Sequence, residues 1–270
     1  MSVPLRSARP LSEILDQLRL KGLRRGVGPM PGTPSAPAVP SGQPALDDAL
    51  RTGGWPRGSL AFLDARPGSG AATLALGSLA AAQERGGIVA WIDGDGSFDP
   101  ATAQRLGIRL EWLLLVRPAD AVESVELAAW LARSRLIDAL VLDLAGAAPT
   151  SSGAGRGLER LPQLLARAGG VALLLAGGST SLREAATRSA GIRVSLEREA
   201  WLAVGSDLVG QRVTATVDRH RWAMPGGQAD LDLWFAEGRR IDPALQAAAA
   251  PAIPVQLRSR AQPVLEVLSA

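Results

Sequence analysis

The sequence predicts an α/β fold: a mostly parallel, twisted sheet flanked by helices, with an antiparallel extension at its C-terminal end and a helix and linker in front. Three observations predict it. Between residues 59 and 176, short apolar runs alternate with longer helical stretches, the spacing of βαβ units. Those runs, such as Ala139-Leu140-Val141-Leu142, are apolar throughout, as strands covered on both faces are. After about residue 190 the pattern becomes an alternation, with Val213, Ala215 and Val217 separated by threonines, then Leu231 and Leu233 separated by Asp232, and Phe235 in the same phase. That is the mark of half-exposed strands.

In chain order, residues 1–25 form an N-terminal helical segment. Leu11, Ile14, Leu15 and Leu18 fall at helical spacing behind Ser12 and Glu13, which predicts an amphipathic helix over about 11–21, ending at Gly22. Its apolar face is the best candidate for binding a partner, and two docks are open to it: its own core or a neighbouring molecule. Residues 26–40 are a Pro/Gly linker. The core spans 41–243. It begins with a turn and a short helix over Ser41–Leu50 and a loop from Thr52 through Trp55 and Pro56 to Gly58. Strands follow at 59–64, 88–93, 113–116, 139–143 and 171–175. Helices follow at about 71–85, from Pro100 to near Gly107, at 121–133 and at 158–168. Beyond them, 191–196, 201–204, 212–219 and 229–235 read as successive strands. Residues 244–270 carry little pattern and read as a mobile tail.

Composition narrows the function classes. The chain has 270 residues, of which 47% are hydrophobic, enough for one large core. Its 29 basic residues include a single lysine, Lys21, and the formal charge is only +3. That mild excess permits contact with nucleic acid without arguing for it. With no cysteine and one histidine, His220, the chain has no disulfide framework and no thiol nucleophile. Little remains for a zinc site or a Ser–His–Asp triad, so no metal site is expected. No apolar run is long enough to span a membrane, and the N-terminus lacks the layout of a secretory leader. The expected location is the cytoplasm.

The stretch from Gly58 to Thr73 is the most informative. An apolar strand ends at Asp64, the turn Pro67-Gly68-Ser69-Gly70 follows, and a helix starts at Ala71. This is the setting of a phosphate-binding loop, G-x-x-x-x-G-K-[ST], in which backbone N–H groups and a helix N-terminus converge on an anion. Against that pattern, Ala65 stands for the first Gly, Ala71 for the Lys and Ala72 for the first hydroxyl. Gly70 is in place and Thr73 comes one residue late. The Lys normally reaches the β- and γ-phosphates and the hydroxyl holds Mg²⁺. ATP and Mg²⁺ are therefore expected to bind weakly or not at all, with no ATPase activity. Arg66 either lends a positive charge to any bound anion or faces solvent.

Five segments together resemble, in order and spacing, the RecA recombinase core over about 41–240. Ser41-Gly42 through Leu46-Asp47, with Gly53-Gly54-x-Pro56-x-Gly58, is similar to its lead-in segment. Residues 65–73 take the phosphate-loop position. Ile92-Asp93-Gly94-Asp95 is similar to the segment carrying the catalytic glutamate, with Asp95 at its place. Ile137 to Asp143 is similar to the Walker B strand, with Asp143 as its carboxylate. Val217 to Pro225 resembles the segment whose two lysines reach a neighbour's ATP, and Arg219 and Arg221 match them. The resemblance makes Ala65, Arg66, Gly68, Gly70, Ala71, Ala72, Thr73, Asp95 and Asp143 a relic nucleotide site. Arg219 and Arg221 become a trans or interface pair. Residues 145–157 stand where RecA has one DNA-binding loop, and the second, after residue 176, is very short.

A reduced core, an N-terminal helix and a loose tail are similar to the ImuA family, once labelled SulA-like. That resemblance implies a non-catalytic accessory protein of the SOS response supporting translesion synthesis and induced mutagenesis. The implied partners are RecA, whose filaments it would modulate, and an ImuB-like inactive Y-family polymerase, with an error-prone replicative-type polymerase indirectly. Direct DNA contact is expected to be weak, and the N-terminal helix offers a route to self-association. Two alternatives remain: an ATP-dependent RecA/RadA-type recombinase with an atypical phosphate loop, and a SulA-type cell-division inhibitor.

Overall fold

The computed structural model describes residues 38–146, 152–177, 179–204, 206–235 and 251–254. The helix carrying Leu11, Ile14, Leu15 and Leu18 lies outside the described residues, as does most of the linker. Helix α1 (Pro44–Leu50) is followed by β1 (Leu60–Ala65), α2 (Ala71–Glu84), β2 (Val89–Asp93) and α3 (Pro100–Arg105). Then come β3 (Leu113–Val116), α4 (Ala121–Ser134), β4 (Ala139–Leu144), α5 (Ser152–Ala168), β5 (Val171–Ala176) and α6 (Thr180–Ser189). The chain continues with β6 (Ile192–Val204), β7 (Asp207–His220), β8 (Gln228–Trp234) and β9 (Pro251–Pro254).

The strands form one sheet in the order β3-β2-β4-β5-β1-β6-β7-β8. Pairing is parallel from β3 through β6 and antiparallel for β6–β7 and β7–β8. Side chains alternate across the sheet and build two core layers. Ala61, Leu63, Trp91 and Val141 face α1, α2 and α3. Leu60, Phe62, Ile92 and Leu142 face α4, α5 and α6. Local chemistry marks the helix starts. Pro44 and Pro100 sit in the first turns of α1 and α3. Asp99 and Asp120 cap α3 and α4, each accepting two backbone N–H bonds.

Trp55 locks the lead-in segment to this body. It exchanges backbone hydrogen bonds with Val39 at 2.7 and 2.9 Å. Its fully buried indole donates from Nε1 to Ser78 Oγ on α2 at 3.0 Å. The Ser78 hydroxyl in turn donates to the Ser41 carbonyl at 2.8 Å.

Four features depart from the sequence-based expectation. The stretches 191–196 and 201–204 are one strand, β6. Its register against β7 shifts at Arg193/Val194, Arg198/Ala200 and Leu202/Ala203, and each shift breaks the alternation that would have revealed continuity. Helix α5 starts at Ser152, not 158, so the second half of the presumed loop 145–157 is helical. Its glycines hid it from propensity, yet they are what lets α5 approach α4. A Cβ on Gly157 would come within 2.6 Å of Val125 Cγ1 and one on Gly153 within 3.2 Å of Val122 Cγ2. Helix α6 was not expected at all, although Leu182, Ala185 and Ala186 bury a helical stripe. Four residues of the supposedly patternless tail form β9, which pairs with Ala200, Trp201 and Leu202. They cover the edge of β6 that β1 leaves open beyond Leu196. The prolines at both ends of β9 remove ladder donors and mask it in sequence.

The α4–α5 contact yields a first prediction. Gly157→Leu should cost about 1–3 kcal/mol by overpacking, despite a better helix propensity. Chemical denaturation monitored by helical circular dichroism measures it, and an unchanged midpoint would mean that the two helices can part without loss.

Candidate functional site

The turn after β1 runs straight into α2, the strand–turn–helix order of a phosphate loop. The Ser69 N–H closes it onto the Arg66 carbonyl at 3.0 Å, and the Leu74 N–H reaches back to the Gly70 carbonyl at 2.9 Å. Gly70 caps α2 at a φ of +88°, a conformation open to glycine. Its missing Cβ also matters, because one would lie 2.4 Å from Leu233 Cδ1. The antiparallel strands thus press directly on the loop.

Side chains from those strands occupy it. Gln211, buried on β7, donates to the Gly68 carbonyl and accepts the Gly70 N–H, both at 3.0 Å. Arg198 of β6 donates from Nη1 to the same Gly68 carbonyl at 3.0 Å. Its guanidinium lies 4.1 Å from the centroid of Trp201, and Trp201 stands 6.2 Å from Phe235 in a tilted pair. The Gly70 amide, which would face an incoming anion, is therefore already committed. Arg66 and Ala72 are exposed, while Ala65, Ala71 and Thr73 are partly buried.

Gln211 is the residue that sequence reasoning missed. The signal was available, since it lies in phase with Val213, Ala215 and Val217, a polar side chain on the apolar face of its strand. Gln211→Ala should cost about 1–3 kcal/mol, because a buried amide N–H loses its acceptor. A denaturant midpoint equal to that of the parent would show that water replaces the side chain without penalty.

The carboxylates gather at the ends of neighbouring strands. Asp93 and Asp143 are register partners on β2 and β4. Asp93 is buried and accepts Arg117 Nε at 2.9 Å and the Phe98 N–H at 3.3 Å. Asp143, only 3% exposed, caps its own loop by accepting the Ala145 N–H at 3.1 Å. Burial pushes its carboxyl up to about 6, against the pull of that hydrogen bond, and the nearby Asp95 and Asp93 charges push the same way. Asp95 accepts the Ser97 N–H at 3.1 Å. Among the described residues, no group of three or more His, Asp or Glu side chains is arranged to hold a metal ion.

Arg219 and Arg221 do not join this site. They lie at and just beyond the end of β7 that pairs with the start of β6, at the opposite end of β1 from the loop. Arg219 donates to the Thr187 carbonyl at 3.0 Å. Between them, His220 accepts the N–H groups of Trp222 and Ala223 on Nδ1, and burial lowers its pKa. Trp222 is 49% exposed. A second unanticipated cluster sits at the end of β1. There, buried Asp64 pairs with Arg183 of α6 and, at 2.7 Å, with Arg193 of β6.

Comparison with known proteins agrees with this architecture. The family model for the RecA N-terminal domain matches residues 33–173. RecA of Thermus thermophilus is 30% identical over 256 residues, covering 83% of this chain and 73% of that protein. RecA of Chloroflexus aurantiacus is 31% identical over 229 residues, covering 74% and 65% respectively. The crystal structure of the RadB recombinase superposes with a TM-score of 0.56 at 19% identity, over 72% of this chain and 95% of that one. The chain, with its parallel sheet, its loop after β1 and its antiparallel extension, belongs to the RecA family.

Proposed function

We propose that this chain is a non-catalytic RecA-family accessory protein of the ImuA type, serving the SOS response to DNA damage in the cytoplasm. It supports translesion synthesis by binding partner proteins: RecA itself, whose filaments it limits, and an ImuB-like inactive polymerase. The observation that carries this reading is the closed loop after β1. Gln211 and Arg198 fill the backbone groups of Gly68 and Gly70 from within the chain. With Ala71 in place of a lysine, no side chain of the pattern draws a phosphate in to displace them. The residues present do not fit Mg²⁺–ATP. Ala72 offers no hydroxyl, and among the described residues no cation lies beside the buried Asp143 carboxyl. The relic sites Ala65, Arg66, Thr73 and Asp95 then keep the shape of the family core without its turnover.

Calorimetry with ATP and Mg²⁺, run beside a hydrolysis assay with and without single-stranded DNA, is the test. No heat and no turnover are expected, together with shortened RecA filaments at equimolar ratio. Micromolar binding with DNA-stimulated hydrolysis that Asp143→Ala abolishes would replace this reading with a second one, an ATP-dependent recombinase. The relatives named RecA favour that second reading.

A further inference from the structure

We propose that the groove between α4 and α5 is a two-fold interface that joins this protein to a second copy of itself. The groove encloses about 1070 Å³, and its floor carries Leu127, Trp130 and Leu164, each half-buried against the core layer of Leu60, Phe62, Ile92 and Leu142. Over the first halves of the two helices its rims are charged and of opposite sign, while Arg133 adds a positive charge in the last turn of α4. Glu123 and Glu126 stand exposed on α4, and Arg156 and Arg160 stand exposed on α5. Glu126, Arg156 and Arg160 have no ion-pair partner among the described residues.

The rims are also level with each other. Both helices connect successive parallel strands, so they run in the same direction. The near contacts of Gly153 with Val122 and of Gly157 with Val125 set the first half of α5 beside the first half of α4. These facts select one symmetry. A two-fold axis lying along the groove places α4 of one copy over α5 of the other at the same height. Each acidic rim then meets a basic rim, twice, as an isologous interface requires. An axis across the groove would set acid on acid and base on base, which repels. A foreign partner would need a matching dipolar surface, whereas a second copy carries one by construction. The half-buried Trp130 and Leu127 supply the apolar centre that such a charged rim surrounds. The inference rests on neither the state of the phosphate loop nor the identity of any other partner.

Sedimentation velocity on the full chain tests it. The parent is expected to dimerise in the micromolar range, more weakly at high salt. The pair Glu123→Arg with Glu126→Arg and the pair Arg156→Glu with Arg160→Glu should each raise the dissociation constant about tenfold or more. Mixing the two variants should restore a dimer, because one then offers two basic rims and the other two acidic ones. Thermal melts confirm that each variant is folded. Should one variant fail to fold, the loss or survival of the dimer in the other decides. A parent that stays monomeric throughout would overturn the proposal and assign the groove to another protein or to the N-terminal segment. A dimer indifferent to the reversals would overturn it equally.

Discussion

Replacing Asp143 with asparagine should stabilise this protein at neutral pH, the reverse of what removing a working metal ligand does. The carboxyl is buried, has no cation beside it among the described residues, and has its pKa raised from 3.8 to about 6. A carboxylic acid with a raised folded pKa binds protons more tightly in the native state than in the unfolded chain. Between about pH 4 and pH 6 the native state therefore holds more protons, and unfolding becomes easier as pH rises. The penalty is absent below about pH 4 and fully present above about pH 6. Two pKa units correspond to about 3 kcal/mol. Asparagine keeps an oxygen for the Ala145 N–H but buries an amide without acceptors, which costs about 1 kcal/mol. The expected gain is about 2 kcal/mol at pH 7.5, turning into a loss of about 1 kcal/mol at pH 4. Urea unfolding at the two pH values measures it. A variant less stable than the parent at pH 7.5 would show that the ionised carboxylate has a partner that its geometry does not reveal.

Trp55→Ala should be the most damaging single change outside the sheet, at about 3–5 kcal/mol. The side chain is wholly buried between the lead-in segment and α2. Its loss opens a cavity and removes the donor to Ser78 Oγ, leaving the Ser78 bond to the Ser41 carbonyl in place. For a domain whose total stability is of order 5–15 kcal/mol, that is a large share. Trp55→Phe separates the two terms: it keeps most of the volume, removes the Nε1 donor, and should cost about 1–2 kcal/mol. Guanidinium titrations of the pair give both numbers. Equal losses for Ala and Phe would place the stabilisation in the hydrogen bond instead of the packing.

The parallel half of the fold was legible because its strands are apolar runs and its helices open with Pro100, Asp120 or the glycine turn at 68–70. These are signals written in contiguous residues. What stayed hidden depends on residues far apart. The start of α5 is glycine-rich because Val122 and Val125 of α4 stand against it, and no local rule anticipates that contact. The continuity of β6 is broken in pattern by register shifts that only its pairing with β7 defines. The candidate site divides the same way. The loop after β1 and the carboxylates Asp95 and Asp143 could be named from motif positions. Gln211 and Arg198, which occupy that loop, come from strands more than a hundred residues later. The Asp64 cluster joins three elements in the same manner.

That separation governs how the chain must assemble. The central strand β1 takes both of its neighbours late, with Leu60 opposite Ala172 of β5 and Ala61 opposite Ile192 of β6. During synthesis, β1 stays unpaired until β5 has emerged, with almost two-thirds of the polypeptide outside the ribosome, and it gains β6 later still. Contacts of such long range are slow to close. Until they do, Leu60–Leu63 is an apolar strand with both edges bare, ready to pair with another chain. Fragments that end between β5 and β6 are expected to collect in inclusion bodies, and the residues that complete β6 are those that end the vulnerability.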